Sequence, residues 1–145
     1  MTAETRASIV FPIHEYRVLI REKHLDTFGH VNNAQYLVLF EEARWEMISS
    51  RGYGLKDVHH TLIGTVVLDC AVRFRRELIL REHVVIRTQV ESLKSKLLVL
   101  KQEIIKENGK LGSDARFTLG CFDLGARKLI APHPDWLAAV TGLRP

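Results

Sequence analysis

The chain has 145 residues, of which 46% are hydrophobic and 26% charged, with a formal net charge of +4 at pH 7. That is enough apolar material for one core and one domain over 1–145, and no apolar run approaches the ~20 residues that a membrane-spanning helix needs. Residues 1–8 lack the basic start and apolar middle of a secretory signal, so a soluble, cytoplasmic protein is expected. An excess of positive charge suits an anionic partner. The basic residues are scattered, however, and the one dense stretch, Arg73-Phe74-Arg75-Arg76, lacks the aromatic interleaving of a single-strand binder, so no nucleic-acid role is expected.

Residues 16–21 alternate apolar and polar side chains with a period of two, as a half-buried strand does. Residues 24–33 break that alternation with Gly29 and the pair Asn32-Asn33, a loop ending at a helix cap. From Ala34 onward Tyr36, Phe40, Ala43 and Met47 recur at helical spacing on one face, with Glu41, Glu42 and Glu46 elsewhere, and Arg51-Gly52 supplies the stop. Four further strands follow over 62–75, 84–93, 97–106 and 115–123. In the second of these, Val84, Ile86, Thr88 and Val90 share one face. Asn108-Gly109 between two strand patterns signals a hairpin, and a meander is the economical topology. Pro132 and Pro134 precede a short helical tail over 135–140. Cys70 and Cys121 both fall in apolar strand-like stretches and are expected to be buried free thiols.

One long helix and a mainly antiparallel sheet make an α+β protein in which the helix fills the core. Such a sheet leaves an edge and a face poorly protected, so at least a homodimer is expected, with a homotetramer equally open. No metal, nucleotide or redox cofactor is called for.

Asp26 precedes the helix start, and Gly29 between them lets the backbone bend sharply. The first N–H groups of a helix lack intrahelical partners, so the amides around Asn33 and Ala34 could stabilise a developing oxyanion. A carboxylate opposite such donors suits hydrolysis of an acyl compound, either by direct attack or through a deprotonated water. Turn and capping hydrogen bonds are the plainer role for Asp26, Asn32 and Asn33, and His30 could be an ordinary loop histidine.

The segment from Asp26 to Arg44 resembles the signature of the 4-hydroxybenzoyl-CoA thioesterase family, which are hotdog-fold acyl-CoA thioesterases. The matching positions are Asp26, Gly29, Val31, Tyr36 and Phe40 to Arg44. The resemblance implies a hotdog fold, with an antiparallel sheet wrapped around one long central helix. It makes Asp26 the catalytic carboxylate and the backbone N–H of Asn33 the group that polarises the thioester carbonyl. Gly29, Val31 and Tyr36 would border the substrate. A second resemblance, to the plant acyl-acyl-carrier-protein thioesterases, rests on His30-Val31-Asn32-Asn33 and Arg75-Arg76-Glu77. By it His30 and Glu77 are helpers of Asp26, while Phe28 stands where that family has an Asn.

The substrate expected is therefore an acyl-CoA or an acyl-ACP thioester. Arg73, Arg75, Arg76, Lys94 and Lys96 could meet coenzyme A phosphates. Two other functions compete. A hotdog hydratase or dehydratase would carry Asp and His with Asn-Pro between them, which Asp26 and His30 lack. A non-catalytic acyl-CoA-binding module would need no carboxylate at Asp26.

Overall fold

In the computed structural model, which describes residues 9–144, alternating strands and one long helix fall close to where the pattern puts them. The expectation for residues 1–8 lies outside the described residues. The elements are β1 (His14–Leu19), a single 3-10 turn (Glu22–His24), α1 (Asn33–Ser50), α2 (Leu55–Thr61), β2 (Ile63–Phe74), β3 (His83–Lys94), β4 (Leu97–Ile105), β5 (Leu111–Asp123), β6 (Lys128–Ile130) and α3 (Pro134–Thr141).

All pairings are antiparallel, in the order β1-β3-β4-β5-β2, with β6 against the end of β5. Only β3, β4 and β5 form a meander, which corrects the simpler topology expected from the hairpin signal. The reason is α1. It intervenes between β1 and β2 and lies against the sheet, so β1 joins one edge beside β3 while β2 joins the other beside β5. Two elements were not anticipated, because the seven residues of α2 carry no apolar periodicity and β6 has only three residues.

Helix α1 starts where a side chain can satisfy its first free amides. Asn32 is the N-cap, and its Oδ1 accepts the Ala34 N–H at 2.9 Å. Gly52, at φ +94°, allows the left-handed turn that ends the helix region. Tyr36, Phe40, Ala43 and Met47 are all buried, as their spacing predicts, together with Leu39, Arg44 and Ile48. All but Arg44 share one apolar cluster with Val84, Ile86 and Val90 of β3 and with Leu98, Leu100 and Ile104 of β4. Leu39, Phe40 and Met47, each fully removed from water, contribute about 1.5–3 kcal/mol apiece.

A polar lock sits inside this apolar layer. Arg44 Nη1 donates to Gln102 Oε1 at 3.0 Å, and Gln102 Nε2 donates to Phe40 O and Thr88 Oγ1 at 3.1 and 2.9 Å. The Arg44 guanidinium also lies 4.3 Å from the centre of the Phe117 ring. Partnered in this way, the buried groups fix α1 to β3, β4 and β5 in one register.

The edge strand β2 is exposed along most of its length. Val67 and Leu68 stand in water beside a bulge in the β2–β5 register, and Leu37, Val38 and Trp45 do so on the outer side of α1. Cys121 is buried as expected, but Cys70 is exposed. It lies on β2, which has no strand on its far side among the described residues.

Candidate active site

The loop between β1 and α1 is built around Asp26. Its Oδ1 accepts the backbone N–H of Phe28 at 2.8 Å and of His30 at 3.3 Å, while its own N–H donates to His30 O at 2.8 Å. Gly29 takes φ +82°, where a Cβ would be strained even though nothing lies within 4 Å of it. Gly29 shapes the turn rather than lining the site. Val31 carries the chain back inward, with its N–H on Leu78 O at 3.2 Å, and Asn32 N–H donates to His24 O at 2.8 Å.

Asp26, His30, Val31, Asn33, Tyr36, Phe74, Arg75, Arg76 and Glu77 line one cleft of about 340 Å³. Six of the seven site residues named from sequence meet there, with Gly29 the exception. Asp26 Oδ1 is occupied by the loop, and Oδ2 receives no hydrogen bond from the described residues, so one carboxylate oxygen is anchored and the other is left for chemistry. The Ala34 N–H is taken by the Asn32 and Asn33 side-chain oxygens at 2.9 and 3.0 Å. The expectation of a free Ala34 amide is thus corrected by local capping, whereas the Asn33 N–H has no acceptor among the described residues.

His30 Nε2 lies 2.7 Å from Glu77 Oε2, with both side chains about half exposed. Glu77 belongs to the loop between β2 and β3, and it reaches His30 because an isolated bridge pairs His30 with Ile79. Tyr36 is buried and its ring meets Phe74 edge-on at 4.9 Å, so it serves both the core and the cleft wall. Burial pushes its phenol above the ordinary range.

Of the five basic residues considered for phosphate, Arg75 and Arg76 reach the cleft. Arg75 Nε lies 2.7 Å from Asp114 Oδ1, and this hydrogen bond holds the Asp114 carboxyl below its usual range. Arg76 Nη1 donates to Leu111 O at 3.0 Å and has no carboxylate partner among the described residues. The density of Arg73 to Arg76 was the one sequence signal that could have placed them there. Nothing in the sequence marked Glu82 and Lys106, which brace the loop from behind.

A second cleft, of about 220 Å³, lies farther along α1 and is lined mainly by apolar groups, including Trp45, Ile48, Val58, Val67 and Trp136, with Arg44 at its wall.

An anchored carboxylate and an unpaired helix-start amide thus line one cleft of a helix-filled antiparallel sheet, which is the hotdog fold. The chain belongs to the thioesterase-like superfamily, whose family model it matches over residues 20–140. Among individual relatives it is 35% identical over 117 residues to the long-chain acyl-CoA thioesterase FadM of Escherichia coli, covering 79% of this chain and 87% of that one. It superimposes on the DHNA-CoA thioesterase of Staphylococcus aureus with a TM-score of 0.79 and 28% identity, covering 88% of this chain and 87% of the other. The fold also matches the protein SAV2348 of Staphylococcus aureus, solved in complex with CoA, with a TM-score of 0.83 at 17% identity over 94% of this chain and 86% of that one.

Proposed function

We propose that this chain hydrolyses long-chain acyl-CoA to the free acid and CoA thiol, with Asp26 as the catalytic carboxylate. The observation that carries the reading is the division of labour at Asp26, where Oδ1 is held by two backbone N–H groups and Oδ2 is left open in the cleft that Asn33 also lines. With the thioester carbonyl on the Asn33 N–H, Oδ2 attacks the carbonyl carbon or takes a proton from the water that does. In either route the C–S bond breaks and the thiolate leaves; after direct attack the acyl group is held on Asp26 as a mixed anhydride, which a water then cleaves to release the free acid and restore the carboxylate. His30, joined to Glu77, is a helper that keeps a proton donor beside the leaving sulfur. Val31 and Tyr36 border the reacting end of the substrate.

A long chain is favoured by the likeness to FadM and by the apolar cleft farther along α1. Trp45 lies twelve residues past Asn33, a rise of about 18 Å along the helix, which is room for an extended acyl tail. The unpaired edge of β2 and the apolar side chains beside it suit a second copy of this chain, so the active form is read as a homodimer of single-domain subunits. A cytoplasmic location fits this reading, since CoA thioesters are intracellular substrates.

The test is a panel of short, long and aromatic acyl-CoA thioesters beside acyl-ACP, followed by thiol release or carrier release. Hydrolysis that rises with acyl length on CoA supports the reading. Hydrolysis of acyl-ACP alone moves the substrate to the carrier protein, and no hydrolysis of any member leaves a binding role.

A further inference from the structure

The His30–Glu77 pair is half exposed, and an exposed pair of flexible side chains does not fix its own geometry. The backbone that carries Glu77 must therefore be fixed from elsewhere. Behind the loop, Lys106 Nζ donates to the backbone carbonyl of Glu77 and also lies 3.3 Å from Glu82 Oε2. Glu82 in turn gathers the neighbouring backbone. Its Oε2 accepts the Ile79 N–H and its Oε1 accepts the Glu107 N–H, both at 3.2 Å. Both side chains are more than nine-tenths buried.

The rest of the loop is tied down independently. Gly112 O accepts the N–H groups of both Arg75 and Arg76. Leu78 is fully buried and packs so closely on Gly112 that a Cβ there would lie 2.8 Å from its Cδ2. A buried ammonium is a costly way merely to fasten a loop already held by apolar packing. Apart from its ion pair with Glu82, it acts differently from an apolar side chain at the Glu77 carbonyl.

We propose that Lys106, seated by Glu82, is a positioning residue that holds the Glu77 backbone so that its carboxylate meets His30 at the reacting centre. The proposal rests on the reading of His30 and Glu77 as helpers of Asp26. Neither Lys106 nor Glu82 lines the cleft; both act through Glu77.

A mutant cycle on hydrolysis of a long-chain acyl-CoA tests it. Lys106→Met is combined with Glu82→Gln so that no unpaired charge is left buried, and the pair is measured with Glu77 intact and with Glu77→Gln. Folding of each variant is checked by circular dichroism. The expected result is that the Lys106/Glu82 change lowers kcat about tenfold with KM within twofold when Glu77 is present. In the Glu77→Gln background it should do so less than twofold, and Lys106→Arg alone should stay within about threefold of the wild type. Equal losses in both backgrounds, or no loss beside an intact Glu77, overturn the positioning role. A wild-type rate for Glu77→Gln strikes instead at the helper reading beneath it and removes the proposal with it.

Discussion

Replacing Asp26 by Asn separates charge from geometry at the centre of the cleft. The amide oxygen of Asn can accept the same two N–H groups that now reach Oδ1, from Phe28 at 2.8 Å and His30 at 3.3 Å. The backbone bonds of the turn, Asp26 N–H to His30 O and Gly29 N–H to Asp26 O, do not involve the side chain. The stability cost is then the difference between a charged and a neutral acceptor, about 1 kcal/mol, or about 3 °C in Tm for a chain of this length. The catalytic cost is of another size. Loss of a general base or nucleophile costs about 10²- to 10⁴-fold, which is about 3–5 kcal/mol of transition-state stabilisation. It should fall on kcat, with KM within about threefold, because the groups that border the substrate are untouched. Thiol release from a long-chain acyl-CoA, measured beside a thermal melt, checks both halves. A variant within about fivefold of the wild-type kcat, or one whose activity disappears together with its cooperative melt, would refute the assignment.

Gln102→Leu should remove the partner of Arg44 Nη1, Thr88 and Phe40 O at once and lower stability by about 2–4 kcal/mol, seen as a Tm about 7–13 °C lower; an unchanged melt would sink the lock. Burial holds the His24 imidazole below its usual range, so protonation favours the unfolded chain: this contribution to stability is full above about pH 6.5 and declines as pH falls toward the depressed folded value. His24→Asn keeps an acceptor for the Arg21 N–H, now 2.9 Å from Nδ1, and should flatten part of the loss between pH 6.5 and 5 in denaturant titrations, while His14, also depressed by burial, acts in the same direction. An identical slope in wild type and variant would exclude His24. Leu68→Glu sets like charges near one another across a paired β2 edge, so a wild-type dimer of 16.6 kDa subunits should become monomeric in light scattering. A monomeric wild type would refute that interface.

Much of this was legible because period and capping are local properties. Val84, Ile86, Thr88 and Val90 had to share a face once β3 was a strand, and Tyr36, Phe40, Ala43 and Met47 had to share one once α1 was a helix. Asp26, His30 and Asn33 were within one short segment, so their meeting needed no knowledge of topology. The position of β2 was different. Nothing in residues 62–75 says which side of β5 they will take, and the exposure of Cys70 follows from that choice alone. The brace behind Glu77 was hidden for the same reason. Lys106 and Glu82 are unremarkable charges at strand ends until the β2–β3 loop meets the end of β4, which puts Lys106 on the Glu77 carbonyl with Glu82 beside it.

The placement of α1 between two strands that finish on opposite edges also shapes the birth of the molecule. During synthesis the loop of Asp26 and the whole of α1 emerge before any of β3, β4 or β5, which supply most of the surface that buries the helix. The nascent chain therefore exposes Leu39, Phe40 and Met47 to chaperones and to other chains for most of its elongation. The β3–β4–β5 hairpins close locally and fast, while the long-range β2–β5 pairing must wait for the final third of the sequence. The loop of Asp26 is thus made early, yet its anchors at Leu78 and Ile79 are made only after α1 and β2.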